Sequence, residues 1–91
     1  MKIRVTISRL LRHLSQLSSD LEAFEVEACS ATECLRATAE RFPSMKRWAY
    51  DEAGMIRPQI WFFSNGERLP DDERDGPLNE GDALLIFFHH L

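Results

Sequence analysis

The segment Pro77–Leu91, PLNEGDALLIFFHHL, constrains this chain most. Pro77-Leu78-Asn79-Glu80-Gly81-Asp82 gathers Pro, Asn, Gly and Asp into one turn. Ala83–Phe88 is then a continuous apolar run. It is too short for a stable helix and bounded by a turn, so it reads as a buried strand. His89, His90 and Leu91 follow. Chain ends fray unless a sheet ties them down. A buried strand reaching residue 88 would hold the chain almost to its last residue and present His89-His90-Leu91 as a short projecting tail.

The rest of the chain supplies partners for that strand. Lys2–Ile7 alternates, with Ile3, Val5 and Ile7 opposite Lys2, Arg4 and Thr6, the period of a strand with one buried face. Ser8–Leu17 has leucines at 10, 11, 14 and 17 and reads as a short helix or a packed loop. Glu22–Ala28 reads as a second strand, with Phe24, Val26 and Ala28 on one face and Glu25 and Glu27 on the other. Ser30-Ala31-Thr32-Glu33 is a capping box in which Glu33 would reach back to Ser30. The helix behind it carries a stripe of Ala31, Leu35, Thr38 and Phe42, widened by Cys34 and Ala39, and stops at Pro43.

Met45–Glu52 could add a short helix that Gly54 would end in the left-handed conformation. Pro58–Ser64 is rich in strand formers, Asn65-Gly66 is a strong hairpin signal, and Glu67–Leu69 would be the return strand. Pro70–Gly76 is an acidic, turn-rich loop. Strands flanking one main helix make an α+β plan, with a helix layer over a mixed sheet of four to five strands.

Size and charge exclude several functions. The 91 residues make one domain with a modest core, 44% of them hydrophobic. Eleven basic against fifteen acidic residues give a net charge of −4, which argues against a nucleic-acid binder even though Arg4, Arg9 and Arg12 are close in sequence. No stretch is apolar enough for a membrane span or a signal peptide, and two cysteines are too few for a disulfide scaffold. The expected compartment is the cytoplasm.

Chemistry-bearing residues are sparse. Neighbouring histidines on a strand point to opposite faces, and zinc needs three or four ligands, so no metal site is expected from His89, His90, His13 and the cysteines. Cys34 falls on the apolar side of the helix as core filler. Cys29, just before the helix start, is a candidate reactive thiol through the helix dipole. There is no phosphate loop and no nucleophile–base constellation, so no catalytic residue and no cofactor are expected. The aromatic residues Trp61, Phe62, Phe63, Phe87 and Phe88 cannot all face one core, because adjacent strand residues point to opposite sides.

Pro77-Leu78, then Gly81-Asp82, then an apolar strand toward the C-terminus resembles the closing motif of the MoaD/ThiS sulfur carriers, and Leu11-Arg12 fits a Leu-Arg pair that follows their first strand. The resemblance implies a ubiquitin-like β-grasp with the first and last strands parallel at the centre. It implies a protein carrier without catalysis of its own. An adenylating enzyme would activate its C-terminal carboxylate, and sulfur would pass to a larger synthase subunit or another acceptor, molybdopterin synthesis being the first expectation. In such a fold the helix covers one side of the sheet. Phe87, with Trp61 and Phe63, would then form an uncovered partner face, which could equally serve a second copy. Sequence leaves open which of Trp61 and Phe62 shares the face of Phe87. The family ends in Gly-Gly and this sequence ends in Leu91. The alternative of a different class is a ubiquitin-like binding module without carrier chemistry.

Overall fold

The computed structural model describes residues 1–90. Five strands form one sheet: β1 (Lys2–Ile7), β2 (Phe24–Glu27), β3 (Ile60–Ser64), β4 (Glu67–Leu69) and β5 (Ala83–Phe88), in the order β2-β1-β5-β3-β4. β1 and β5 run parallel at the centre, and the other neighbours are antiparallel. This is the mixed sheet and central parallel pair expected above. Period-two burial makes one face the core: Ile3, Val5 and Ile7 from β1, Ile60 and Phe62 from β3, Leu84 and Ile86 from β5. Helix α2 (Ala31–Arg41) adds Ala31, Cys34, Leu35, Thr38 and Ala39 to the buried set, while Phe42 is only half-buried.

The helix start differs in one detail. Ser30 Oγ accepts from the Glu33 amide at 3.2 Å, but the Glu33 carboxylate reaches past Ser30 and accepts from the Cys29 amide at 3.1 Å. Ser8–Leu17 contains a short helix, α1 (Arg9–Leu14), which buries Leu11. Arg12 leaves the basic cluster that its position suggested. Its guanidinium donates to the carbonyls of Ser19 and Leu21, at 2.7 and 3.5 Å, and fastens the loop into β2.

Two boundaries move. Residues 22, 23 and 28 lie outside β2, which pairs with β1 only from Phe24 to Glu27. The expected Met45–Glu52 helix shrinks to a 3-10 turn, Pro43–Met45, and one turn of α3 (Lys46–Ala49). Gly54 does not cap it. Tyr50 is extended and bridges Ile56, and Gly54, at φ +81°, closes the tight turn between them. The Asp51 carboxylate accepts from the Ala53 and Met55 amides, both at 2.9 Å, and this local acceptor outcompetes the helix.

The turn at 77–82 ties three parts of the fold together. The Leu78 amide donates to the Cys29 carbonyl and Gly81 to that of Lys2, at 2.8 and 2.9 Å. Asp82 accepts from the Asn79 amide at 2.8 Å and from Asn65 Nδ2 at 3.1 Å. Asn65 Oδ1 in turn accepts from the Ala83 amide at 3.0 Å. The tip of the β3–β4 hairpin, the start of β1 and the start of β5 are thereby fixed to one another.

Candidate partner-binding face and chain end

With Ile60, Phe62, Leu84 and Ile86 in the core, Trp61, Phe63, Leu85 and Phe87 must point to the opposite side of the sheet. Trp61 rather than Phe62 therefore shares the face of Phe87. Trp61 and Phe87 are direct cross-strand partners, with ring centroids 6.2 Å apart, and Phe63 meets Phe87 edge-on at 5.7 Å. All three are half-buried by one another. Phe88 turns the other way and packs edge-on against Trp48 of α3 at 6.2 Å. The short helix thus serves the core side and leaves the aromatic face uncovered.

The face is divided. Across β2 and β1 it is charged, with Lys2 opposite Glu27 and Arg4 opposite Glu25. Across β5 and β3 it is apolar and aromatic. Two polar groups extend the aromatic half. The His89 ring stacks on Trp61 at 4.0 Å with an interplanar angle of 10°, and the Arg68 guanidinium lies 3.6 Å from the same ring centroid. Two groups this close to one centroid cannot share a side of the ring, so Trp61 is sandwiched between a cation and an imidazole. Sandwiching fixes the indole plane and adds cation–π attraction on one side.

Both additions follow from alternation. Asn65, at φ +51°, and Gly66, at φ +88°, form a two-residue hairpin that pairs Ser64 with Glu67 and Phe63 with Arg68. Arg68 must then join the face of Phe63. His89 is two residues beyond Phe87 and falls on the same side. The signal was present in the sequence. Leu85 is legible by the same rule.

The tail is partly fixed. The His89 amide donates to the Gln59 carbonyl at 2.6 Å, so sheet-like pairing continues one residue past β5. His90 is exposed, and Leu91 lies outside the described residues. Of the expected tail, His89 is held to the sheet and His90 is the described residue that projects.

The two cysteines differ sharply. Cys34 is fully buried, and burial, with the Glu33 charge adding to it, pushes its thiol from the ordinary 9.0 up to about 11. Cys29 is exposed. The Glu33 carboxylate bonded to its amide puts negative charge beside it, the reverse of the electropositive surroundings typical of reactive thiols. Among the described residues no three His, Cys, Asp or Glu side chains converge on a point where a metal ion could sit. No helix among them is long and apolar enough to cross a membrane.

Compared with protein-family profiles and with curated protein sequences, the chain matches none. Solved structures do match its fold. SAMP1 from Haloferax volcanii superimposes with a TM-score of 0.79 at 15% identity, covering 99% of this chain and 97% of the other. A chain from the complex of subunits 1 and 2 of the molybdopterin-converting factor of Helicobacter pylori gives 0.61 at 18% identity, over 100% and 97%. A chain from the BexX/CysO complex of Amycolatopsis orientalis gives 0.67 at 19%, over 98% and 97%. The sheet order, the single main helix and these near-complete superpositions agree: the chain has the β-grasp, ubiquitin-like fold that its resemblance to the MoaD/ThiS proteins implies.

Proposed function

We propose that residues 1–91 act as one small sulfur-carrier domain of the MoaD/ThiS type. The observation that carries this reading is the placement of the chain end. The central strand β5 delivers residues 89 and 90 to the edge of an uncovered aromatic face built from Trp61, Phe63 and Phe87. A partner seated on that face is positioned to receive the chain end in its own active site.

The chemistry belongs to the partner. An adenylating enzyme would join the carrier's terminal carboxylate to the α-phosphate of ATP, releasing pyrophosphate. A sulfide equivalent from a sulfur donor would then displace AMP and leave a thiocarboxylate. That sulfur would pass to a second partner, with a molybdopterin-type synthase subunit as the first candidate. A Gly-Gly end suits this task, because a chain without Cβ atoms threads a narrow channel. A carrier of this type requires such an end beyond residue 91. No residue of this chain acts as a catalyst in the scheme, and its setting is the cytoplasm.

One observation favours the second reading, a binding module without carrier chemistry. The first tail residue is not free: His89 is hydrogen-bonded to Gln59 and stacked on Trp61. A carrier must release that stack when its tail enters a partner. The same aromatic face could also seat a second copy of the chain.

The test is pyrophosphate exchange with ATP, catalysed by a MoaD- or ThiS-type adenylating enzyme in the presence of this protein extended by Gly-Gly. The carrier reading predicts exchange that depends on the added protein and falls at least about tenfold in Trp61→Ala/Phe87→Ala, as truncating interface anchors does. No exchange with any such enzyme, alongside a retained fold, contradicts it.

A further inference from the structure

On the side of the sheet away from the aromatic face, a cleft opens at the root of the tail. Arg47, Trp48, Arg57, Gln59 and Phe88 line it, and none of them is acidic. The cleft itself is positively lined on a chain of net charge −4, and the acidic residues Glu40, Asp51 and Glu52 lie in the adjoining hollow that shares Arg47 and Arg57. The edge-on pair of Trp48 and Phe88 contributes its apolar surface. Arg57 is fixed at one end: its Nε donates to the Arg47 carbonyl at 2.9 Å, which directs its two terminal nitrogens elsewhere. Among the described residues neither Arg47 nor Arg57 has a carboxylate within salt-bridge distance. An anchored guanidinium with free terminal N–H groups is organised for a two-point hydrogen bond to a carboxylate.

Gln59 narrows the ligand. Its main-chain carbonyl holds His89, so it sits beneath the point where the chain leaves the sheet. Its side-chain Oε1 is buried and has no hydrogen-bond partner. Such an acceptor calls for a donor. The terminal amide torsion of glutamine is soft, so the oxygen can turn to meet one. An inorganic anion without an O–H group, such as sulfate, brings acceptors for the arginines but no donor for Gln59. A peptide brings both: a side-chain carboxylate for Arg57 and Arg47, and a main-chain N–H for Gln59.

We infer that this cleft is a second docking site, which takes an acidic peptide segment of the protein that receives the tail. The site and its ligand chemistry follow from the cleft itself, and only the identification of the segment's owner rests on the carrier reading. A partner engaging both places would hold the tail root from two sides of the sheet, by its aromatic-binding surface on one and an acidic loop on the other.

The probe is a blocked acidic tetrapeptide, acetyl-Glu-Asp-Glu-Leu-amide, titrated into the full chain and followed by two-dimensional NMR. The inference predicts saturable shifts at the Arg57 Nε–H, the Trp48 indole N–H and the Gln59 side-chain amide. Sodium sulfate at matched ionic strength should give smaller, non-saturating shifts. Arg47→Gln should weaken peptide binding at least about threefold, and Arg47→Gln/Arg57→Gln at least about tenfold, as loss of charged hydrogen-bond partners does. The single variant keeps the Arg47 carbonyl that anchors Arg57, so it tests the charge without removing the anchor. Shifts that stay linear with peptide, match those of sulfate, keep the parent affinity in Arg47→Gln/Arg57→Gln or centre on Arg4 and Arg9 overturn the inference. The titration uses no adenylating enzyme, so its failure and that of the carrier reading are separately visible.

Discussion

Asp82 shows how much one side chain organises here. Its carboxylate oxygens accept from Asn79 and from Asn65, and Asn65 passes the connection on to Ala83. Asp82→Ala breaks the link between the closing turn and the hairpin. The expected loss is about 1–2 kcal/mol, reduced from the value of a buried charged bond by solvent access. That is a fall in Tm of about 4–8 °C per kcal/mol, read by thermal denaturation. Cys34 gives a pH signature. Well below pH 9 its thiol is protonated in both folded and unfolded chains and contributes nothing to the pH dependence. Above that, the unfolded thiol releases its proton while the folded one holds it to about 11, so stability falls as pH rises through this window. Burial pushes the Tyr50 phenol up as well, against Arg36 and with Glu40, so part of the alkaline loss belongs to Tyr50. Comparing urea midpoints at about pH 8 and about pH 10 should therefore show a smaller drop for Cys34→Ala than for the parent chain. Equal drops would remove Cys34 from the account. Residues of this kind were partly legible. The burial of Cys34 follows from helical spacing, whereas the reach of Glu33 to Cys29 depends on the backbone at the helix start, and alternation places Arg68 and His89 on the face of Trp61 without fixing their stacking.

Helix α2 and the β3–β4 hairpin were readable because their signals are local. Ser30 caps, Pro43 stops, and Asn65-Gly66 turns. Ser30→Ala should cost about 1 kcal/mol by removing the acceptor for the Glu33 amide, measurable as a lower urea midpoint. Gly66 tests conformation in isolation. A Cβ there would meet nothing within 4 Å, yet its φ is +88°. Gly66→Ala should therefore destabilise by about 1 kcal/mol through backbone strain alone. Gly66→Asn should recover part of that loss, because asparagine tolerates the left-handed region. If alanine and glycine are equally stable, strain is not what selects the residue. The expected helix over Met45–Glu52 was the element misread. Its apolar spacing was thin, and the sequence did not reveal that Asp51 would spend its carboxylate on the amides of Ala53 and Met55. A side-chain acceptor that competes with the backbone is invisible to periodicity.

The sheet order was legible from the ends inward. Periodicity marked the strands at both ends, the resemblance to the MoaD/ThiS proteins implied that they are central parallel neighbours, and β1 and β5 are parallel there. What periodicity could not assign was the choice between Trp61 and Phe62, which needs the register of β3 against β5. That register creates the division of the open face into a charged half on β2 and β1 and an aromatic half on β5 and β3. The division gives a prediction for assembly. If the aromatic half seats a partner or a second copy, Trp61→Ser/Phe87→Ser should abolish any concentration-dependent sedimentation of the isolated protein while leaving its circular dichroism unchanged. Self-association that survives the double substitution would place the contact elsewhere. The carrier reading itself turns on the end of the chain, and the intact mass of the protein from its native source addresses it directly. A sulfur carrier would show a mass larger than Met1–Leu91 by a short extension ending in Gly-Gly, with a fraction heavier by the difference between sulfur and oxygen. A native mass equal to that of Met1–Leu91 would contradict sulfur carriage and leave the aromatic face as the functional surface of a binding module.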